Sequence, residues 1–204
     1  MEFYLNSESA SQIRKLEQVM PIDGVVLSHP VSASKISTRM NSLLSALRTE
    51  QKLFVPITSI STEQMIKEAL HVYSLGPNSI PMIPVTPQGL QAVRICSQKG
   101  MQVMACNIGT CEQAFMAIRN GAAYAMLRHD SDSSAFAKML DLVRMLRVNH
   151  MSASVMVSAV DNRAEFHELS MSGIQAVFVT PSAAAQLLVS AASQVTLAQL
   201  GAHC

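Results

Sequence analysis

The sequence predicts an α/β fold, a (β/α)₈ barrel: eight parallel strands closed inside a ring of helices. Three observations carry the prediction. Eight short apolar runs alternate with eight longer segments of helical periodicity along the 204 residues. The runs are apolar throughout, as strands of a parallel sheet buried on both faces must be. Lys99-Gly100, Asn120-Gly121 and Ser172-Gly173 each end a helical segment just before an apolar run, the glycine taking the left-handed position after the helix. No G-x-G-x-x-G and no G-x-x-x-x-G-K-S/T follows any run, which weighs against the open nucleotide-binding sheets. Eight units of this kind favour a closed barrel, and the length suits one domain over residues 1–204 with a sizeable core.

The elements follow in order. Glu2 to Asn6 reads as the first strand, and Ser7 is placed to cap the helix carrying Ile13, Leu16 and Met20. Pro21 stops that helix, and Asp23-Gly24 turns into a second strand, Val25 to Ser28. Ile36, Met40, Leu43, Leu44 and Leu47 share the next helical face. Lys52 to Thr58 is a strand, and Thr62 to Tyr73 is a helix with Met65, Ile66, Ala69 and Val72 inward. Ile80 to Val85 is the fourth strand. Thr86 caps its helix and Pro87 takes the first helical position. Strands over 101–107, 122–128, 152–159 and 174–180 then alternate with helices over 110–119, 133–148 and 162–171, and Thr180-Pro181 starts a last helix.

Composition excludes several classes. Charged residues are 14% and the formal net charge is +1, so neither a nucleic-acid partner nor an acidic tail is indicated. Cys96, Cys106, Cys111 and Cys204 include no C-x-x-C pair, which argues against a metal site or redox motif and for a reduced, cytoplasmic protein. The N-terminus lacks a basic region followed by a long apolar core. Ser182 to Leu200 carries too many polar side chains for a lipid-facing span and reads as an alanine-rich helix of a non-membrane protein.

The fourth strand and its turn, Pro84-Val85-Thr86 with Gly89-Leu90, resemble those of the transaldolase and fructose-6-phosphate aldolase family, small class I aldolase barrels. Met1-Glu2-Phe3-Tyr4-Leu5, Leu53-Phe54, Thr62-Glu63 and Gly121-Ala122 add matches in the right order with nearly gapless spacing. In that family a lysine on the fourth strand forms a Schiff base with a sugar ketone, and the resemblance places Met82 at its position. An amine condenses with a ketone to an iminium that accepts electrons from the breaking C–C bond, whereas a thioether cannot. The remaining lysines, Lys15, Lys35, Lys52, Lys67, Lys99 and Lys138, fall in helices or at strand starts, facing away from the catalytic end, and Lys35 is the one near a βα loop that could substitute.

The resemblance implies a set of pocket positions, most of them altered. Asn6 replaces the acid/base aspartate, and an amide accepts no proton at neutral pH. His29 stands for an asparagine and reads either as a pocket acid/base or as a loop histidine. Pro56 stands for a water-holding glutamine. Cys106, beside Asn107, replaces a threonine or serine and is either a nucleophile or a small buried hydrophobe. Arg128 falls on a tyrosine implicated in proton transfer, and Arg128-His129-Asp130 reads as an anion site or a solvated loop. Ser158 matches the family's phosphate-site serine, but Val160 and Ser131 stand where basic residues would hold the phosphate. Arg163 and Arg128 are the nearby cations.

Three functional readings follow. One is a divergent family member without Schiff-base chemistry, a pseudoenzyme that binds a small carbohydrate-like ligand or a partner. Another is an active aldehyde-lyase or transaldolase-type enzyme of sugar phosphate metabolism with a rearranged site. The last is a structural or interaction protein without a ligand pocket. None calls for a cofactor. The resemblance also implies a homo-oligomer, formed through faces other than a C-terminal helix, since Gly201-Ala202-His203-Cys204 ends the chain where that reaching helix would begin.

Overall fold

In the computed structural model the described residues are 1–27, 29, 33–127, 133–160 and 162–188. Eight parallel strands close into a barrel in sequence order. They are β1 (Glu2–Asn6), β2 (Gly24–Val26), β3 (Lys52–Pro56), β4 (Ser79–Pro84), β5 (Met104–Ile108), β6 (Tyr124–Leu127), β7 (Ser154–Val160) and β8 (Ala176–Val179). The helices between and after them are α1 (Ala10–Glu17), α2 (Ala33–Leu44), α3 (Thr62–Leu75), α4 (Pro87–Gln98), α5 (Cys111–Arg119), α6 (Ser133–Val148), α7 (Arg163–Met171) and α8 (Pro181–Leu187). The (β/α)₈ prediction holds, and β1 pairs with β8 to close the ring.

Most boundaries lie within a few residues of those read from the sequence. Thr86 and Thr180 cap α4 and α8, their hydroxyls accepting from the Gly89 and Ala183 amides, with proline just inside each cap. Gly100, Gly121 and Gly173 have φ of 78°, 97° and 83°, the left-handed backbone expected of a residue following a helix. One cap differs: α1 is capped by Ser9, not Ser7. Ser7 is buried and spends its hydroxyl accepting from the Ser9 amide and donating to Gln12 Oε1. That short turn displaces the helix start, and α1 ends at Glu17, so Met20 packs on the core from beyond it. Ser28 and the end of the predicted last helix lie outside the described residues.

The two-residue period of each strand divides the core into two layers. Leu5, Val25, Leu53, Val55, Ile83, Ala105, Ala125, Val155, Val177 and Val179 face the helices. Tyr4, Val26, Phe54, Ile80, Met82, Met104, Cys106, Tyr124, Met156, Ala176 and Phe178 fill the bore. Burial on both faces is why these strands show no polar alternation. Phe54 meets the Tyr4, Tyr124 and Phe178 rings edge-on, with centroids 5.0, 5.2 and 6.0 Å away. This layer separates the two ends of the barrel. Among the described residues no helix is long and apolar enough to cross a membrane.

Candidate functional site

Above the aromatic layer, where the strands end, a cavity of about 330 Å³ opens. In a (β/α)₈ barrel this end carries the chemistry, because the βα loops converge there. Strand period and register decide which side chains reach it. Asn6, Pro56, Met82 and Pro84 take the last inward positions of β1, β3 and β4, and Pro56 pairs with Met82 in register. Val26, Leu27, Ile57, Met126 and Phe178 complete the apolar wall.

Two irregular strands add the rest. The β5–β6 register slips between Ala105 and Ile108, and the β7–β8 register slips between Val157 and Val160. A bulge sets two residues against one and re-aims side chains. The first slip brings both Cys106 and Asn107 to the cavity, Asn107 at φ 57°, and the second brings Ser158. Asparagine is among the few residues that adopt this backbone conformation readily.

The geometry assigns a place to most of the residues singled out from the sequence. Asn6, Pro56, Met82, Cys106, Asn107 and Ser158 line this one cavity. His29 does not line it; the residue is exposed in a neighbouring cleft. Arg163 opens α7, exposed and outside the lining, and Val160 is fully buried. Arg128, His129, Asp130 and Ser131 lie outside the described residues.

Among the described residues, no charged side chain lines the cavity. Met82 is 4% exposed. Burial pushes the Cys106 thiol up to about 12, so at neutral pH it is a protonated small hydrophobe and a poor nucleophile. No group of three or more His, Cys, Asp or Glu side chains that could hold a metal ion occurs among the described residues.

The turn after β4 is held tightly. A Cβ on Gly89 would lie 1.9 Å from the Pro84 carbonyl oxygen, so the first turn of α4 rests directly on a cavity-lining residue. The loop after β3 is tied down by Glu68 of α3. Its carboxylate accepts from the Thr58 and Ser59 amides at 2.8 and 3.3 Å and from their hydroxyls at 2.9 and 2.7 Å. Burial alone would raise the Glu68 pKa, but the bonds from Ser59 and Thr58 outweigh it and hold the carboxyl below its ordinary range.

One lysine does point into the barrel, at the opposite end. Lys52 Nζ donates to Glu2 Oε1 at 2.8 Å and to the Tyr4 hydroxyl at 3.1 Å, and it lies 5.2 Å from the centre of the Tyr124 ring. The Tyr4 hydroxyl donates to Glu2 Oε2 at 2.9 Å. Burial would lower the Lys52 pKa, but the bond to Glu2 and the neighbouring Tyr124 raise it above the ordinary 10.5. Lys52 starts the strand whose other end, Pro56, pairs with Met82. Four residues at about 3.3 Å each put it roughly 13 Å below the mouth. It is a floor residue held as a cation. Sequence reading placed it at a strand start, and only the inward phase of β3 could have shown that it enters the bore.

Beside the mouth lies the second cleft, lined by Asn6, Ser7, Glu8, Ser9, Gln12, His29, Arg39 and Pro181. Asn6 lines both spaces. Glu8 Oε2 pairs with the Arg39 guanidinium. Glu8 Oε1 is buried without a hydrogen-bond partner among the described residues, and His29 Nδ1 stands 3.4 Å from it without hydrogen-bond geometry. Glu8 and Arg39 were not foreseen, because they meet across separate elements and neither belongs to a local motif.

The family model described as Transaldolase/Fructose-6-phosphate aldolase matches residues 32–199. A protein of Sulfurihydrogenibium sp. (strain YO3AOP1) described as "Probable transaldolase" is 25% identical over 194 residues. The match covers 92% of this chain and 88% of the relative.

Proposed function

Since the chain belongs to the transaldolase/fructose-6-phosphate aldolase family, we propose that it is a divergent member that has given up Schiff-base aldol chemistry and uses the barrel mouth to bind a small, uncharged, carbohydrate-like molecule. The observation that carries the reading is Met82, inward on β4, in the wall of a cavity that no described lysine lines. In the proposal, Met82 stands where the family's Schiff-base lysine would be.

Iminium formation requires a neutral amine beside the ketone. Lys52 meets neither condition, being at the far end of the bore and held protonated by Glu2. Proton transfer needs a group that titrates near the working pH. Asn6 does not titrate in that range, and the Cys106 thiol is held far above it by burial. What the wall supplies is apolar surface from Met82, Met126, Phe178, Pro56 and Pro84, with the uncharged polar groups of Asn6, Asn107 and Ser158 set into it. A few placed polar groups in an apolar concavity suit a small neutral ligand.

Two assays on the intact protein test the reading: cleavage of fructose 6-phosphate, followed by coupled detection of the triose products, and binding of glycerol and hydroxyacetone, followed by NMR chemical-shift changes. Saturable shifts at the mouth without turnover support it. A robust aldolase rate overturns it.

A further inference from the structure

We propose that the Glu8–Arg39–His29 cleft is a second subsite that continues the barrel mouth and takes the hydroxyl-bearing end of an uncharged amphiphilic ligand whose apolar part lies in the mouth. The inference rests on the reading of the mouth as a ligand site and adds the chemistry of what extends out of it.

Continuity comes from Asn6. The residue ends β1 and lines both the mouth cavity and the cleft, so a ligand seated against Met82 and Met126 can pass over it into the polar space. The two spaces differ in character. The mouth wall has no charged side chain among the described residues, whereas the cleft has Glu8, Arg39 and His29.

The cleft's own hydrogen bonding identifies the group it lacks. Ser7 and Gln12 are bonded to each other, and Ser7 also accepts from the Ser9 amide. Arg39 occupies one carboxylate oxygen of Glu8. The other, Oε1, is buried with no hydrogen-bond partner among the described residues; His29 Nδ1, 3.4 Å away, is its neighbour. A buried carboxylate oxygen without a donor is costly, and a ligand donor placed there recovers that cost. The donor's charge is set by the neighbours. An ammonium would sit beside the Arg39 guanidinium, which repels it. A carboxylate has no proton to give Oε1, a phosphate monoester is mostly dianionic at neutral pH, and either meets the Glu8 charge. A hydroxyl donates to Oε1 without either penalty and can accept from an N–H of the His29 imidazole. An aliphatic diol therefore fits both spaces.

The test uses hexane-1,2-diol, hexan-1-ol and hexyl phosphate as probes. Dissociation constants are measured by NMR titration for the wild-type chain and for Glu8→Gln. The expected result is that both alcohols, each with a hydroxyl to give Oε1, bind Glu8→Gln about tenfold more weakly than the wild type, the scale of one hydrogen bond to a charged acceptor. Hexyl phosphate is the weakest of the probes on the wild type. Alcohol affinities unchanged in Glu8→Gln, hexyl phosphate binding as tightly as the diol, or failure of the alcohols to bind overturns the subsite. The mouth reading is decided separately, by the glycerol and hydroxyacetone titrations.

Discussion

Replacing Met82 by lysine puts an amine on the inward face of β4, in a wall whose lining residues include no carboxylate among those described. The side chain there is 4% exposed. Fully buried lysines are depressed by about three to five pH units, so a group that can tilt toward an open mouth should be depressed by about two. At about 1.36 kcal/mol per unit, that is a loss of roughly 2.7 kcal/mol at pH 7. Below the folded-state pKa both states hold the proton and the folded chain bears the full cost of burying the charge, so the penalty is complete at pH 7. It shrinks as pH rises and vanishes above about 10.4, where the unfolded lysine is also neutral. Urea unfolding of the wild type and Met82→Lys at half-unit steps from pH 6 to 10.5 reads this directly as midpoints that converge with rising pH. A variant as stable as the wild type at pH 7, with no convergence, would show that position 82 does not face an apolar wall. The same variant should form a borohydride-trappable adduct with hydroxyacetone yet turn over fructose 6-phosphate poorly, because Asn6 and Cys106 still supply no acid or base.

Gly89→Ala forces a methyl group onto the Pro84 carbonyl oxygen. It should cost about 1–3 kcal/mol by overpacking, despite the better helix propensity of alanine, and urea midpoints check it. Glu68→Gln should lose about 1 kcal/mol at pH 7, the scale of one net hydrogen bond. Because the folded Glu68 carboxyl is held low, the wild-type advantage is present above the ordinary 4.5 and disappears as pH falls through the folded value; parallel acid-unfolding curves would contradict this. Cys106, with its thiol pushed up to about 12, should react with iodoacetamide at pH 8 roughly a thousandfold more slowly than a free thiol. Peptide mapping of the folded and urea-unfolded chain distinguishes this from ordinary reactivity.

The alternation of strands and helices was legible because the signals are local. Thr86-Pro87 and Thr180-Pro181 mark helix starts, and Gly100, Gly121 and Gly173 mark helix ends, with backbone angles that few other residues adopt readily. The family was legible for a related reason: the scaffold matches keep their spacing around the barrel, and the family model matches 168 positions, residues 32–199. Less local features were not. The slips at Cys106-Asn107 and at Ser158 carry no glycine or proline to announce them, yet they decide which side chains reach the mouth. The start of α1 was misread because Ser7 and Ser9 are equivalent as letters. Only the Ser7–Gln12 bond shows which of them is taken. The cleft was hidden for the same reason: Glu8 follows β1, Arg39 lies on α2, and only the closed barrel sets them together.

In the proposed reading the chain keeps the aldolase scaffold without an amine that can reach a ketone at the mouth. The most direct measurement incubates the wild-type protein with dihydroxyacetone, hydroxyacetone or fructose 6-phosphate, adds borohydride and reads the intact mass. An unmodified mass is expected with all three, while Met82→Lys under the same conditions gains the reduced hydroxyacetone adduct. A wild-type adduct that maps to a single lysine would contradict the account and return the chain to the Schiff-base enzymes.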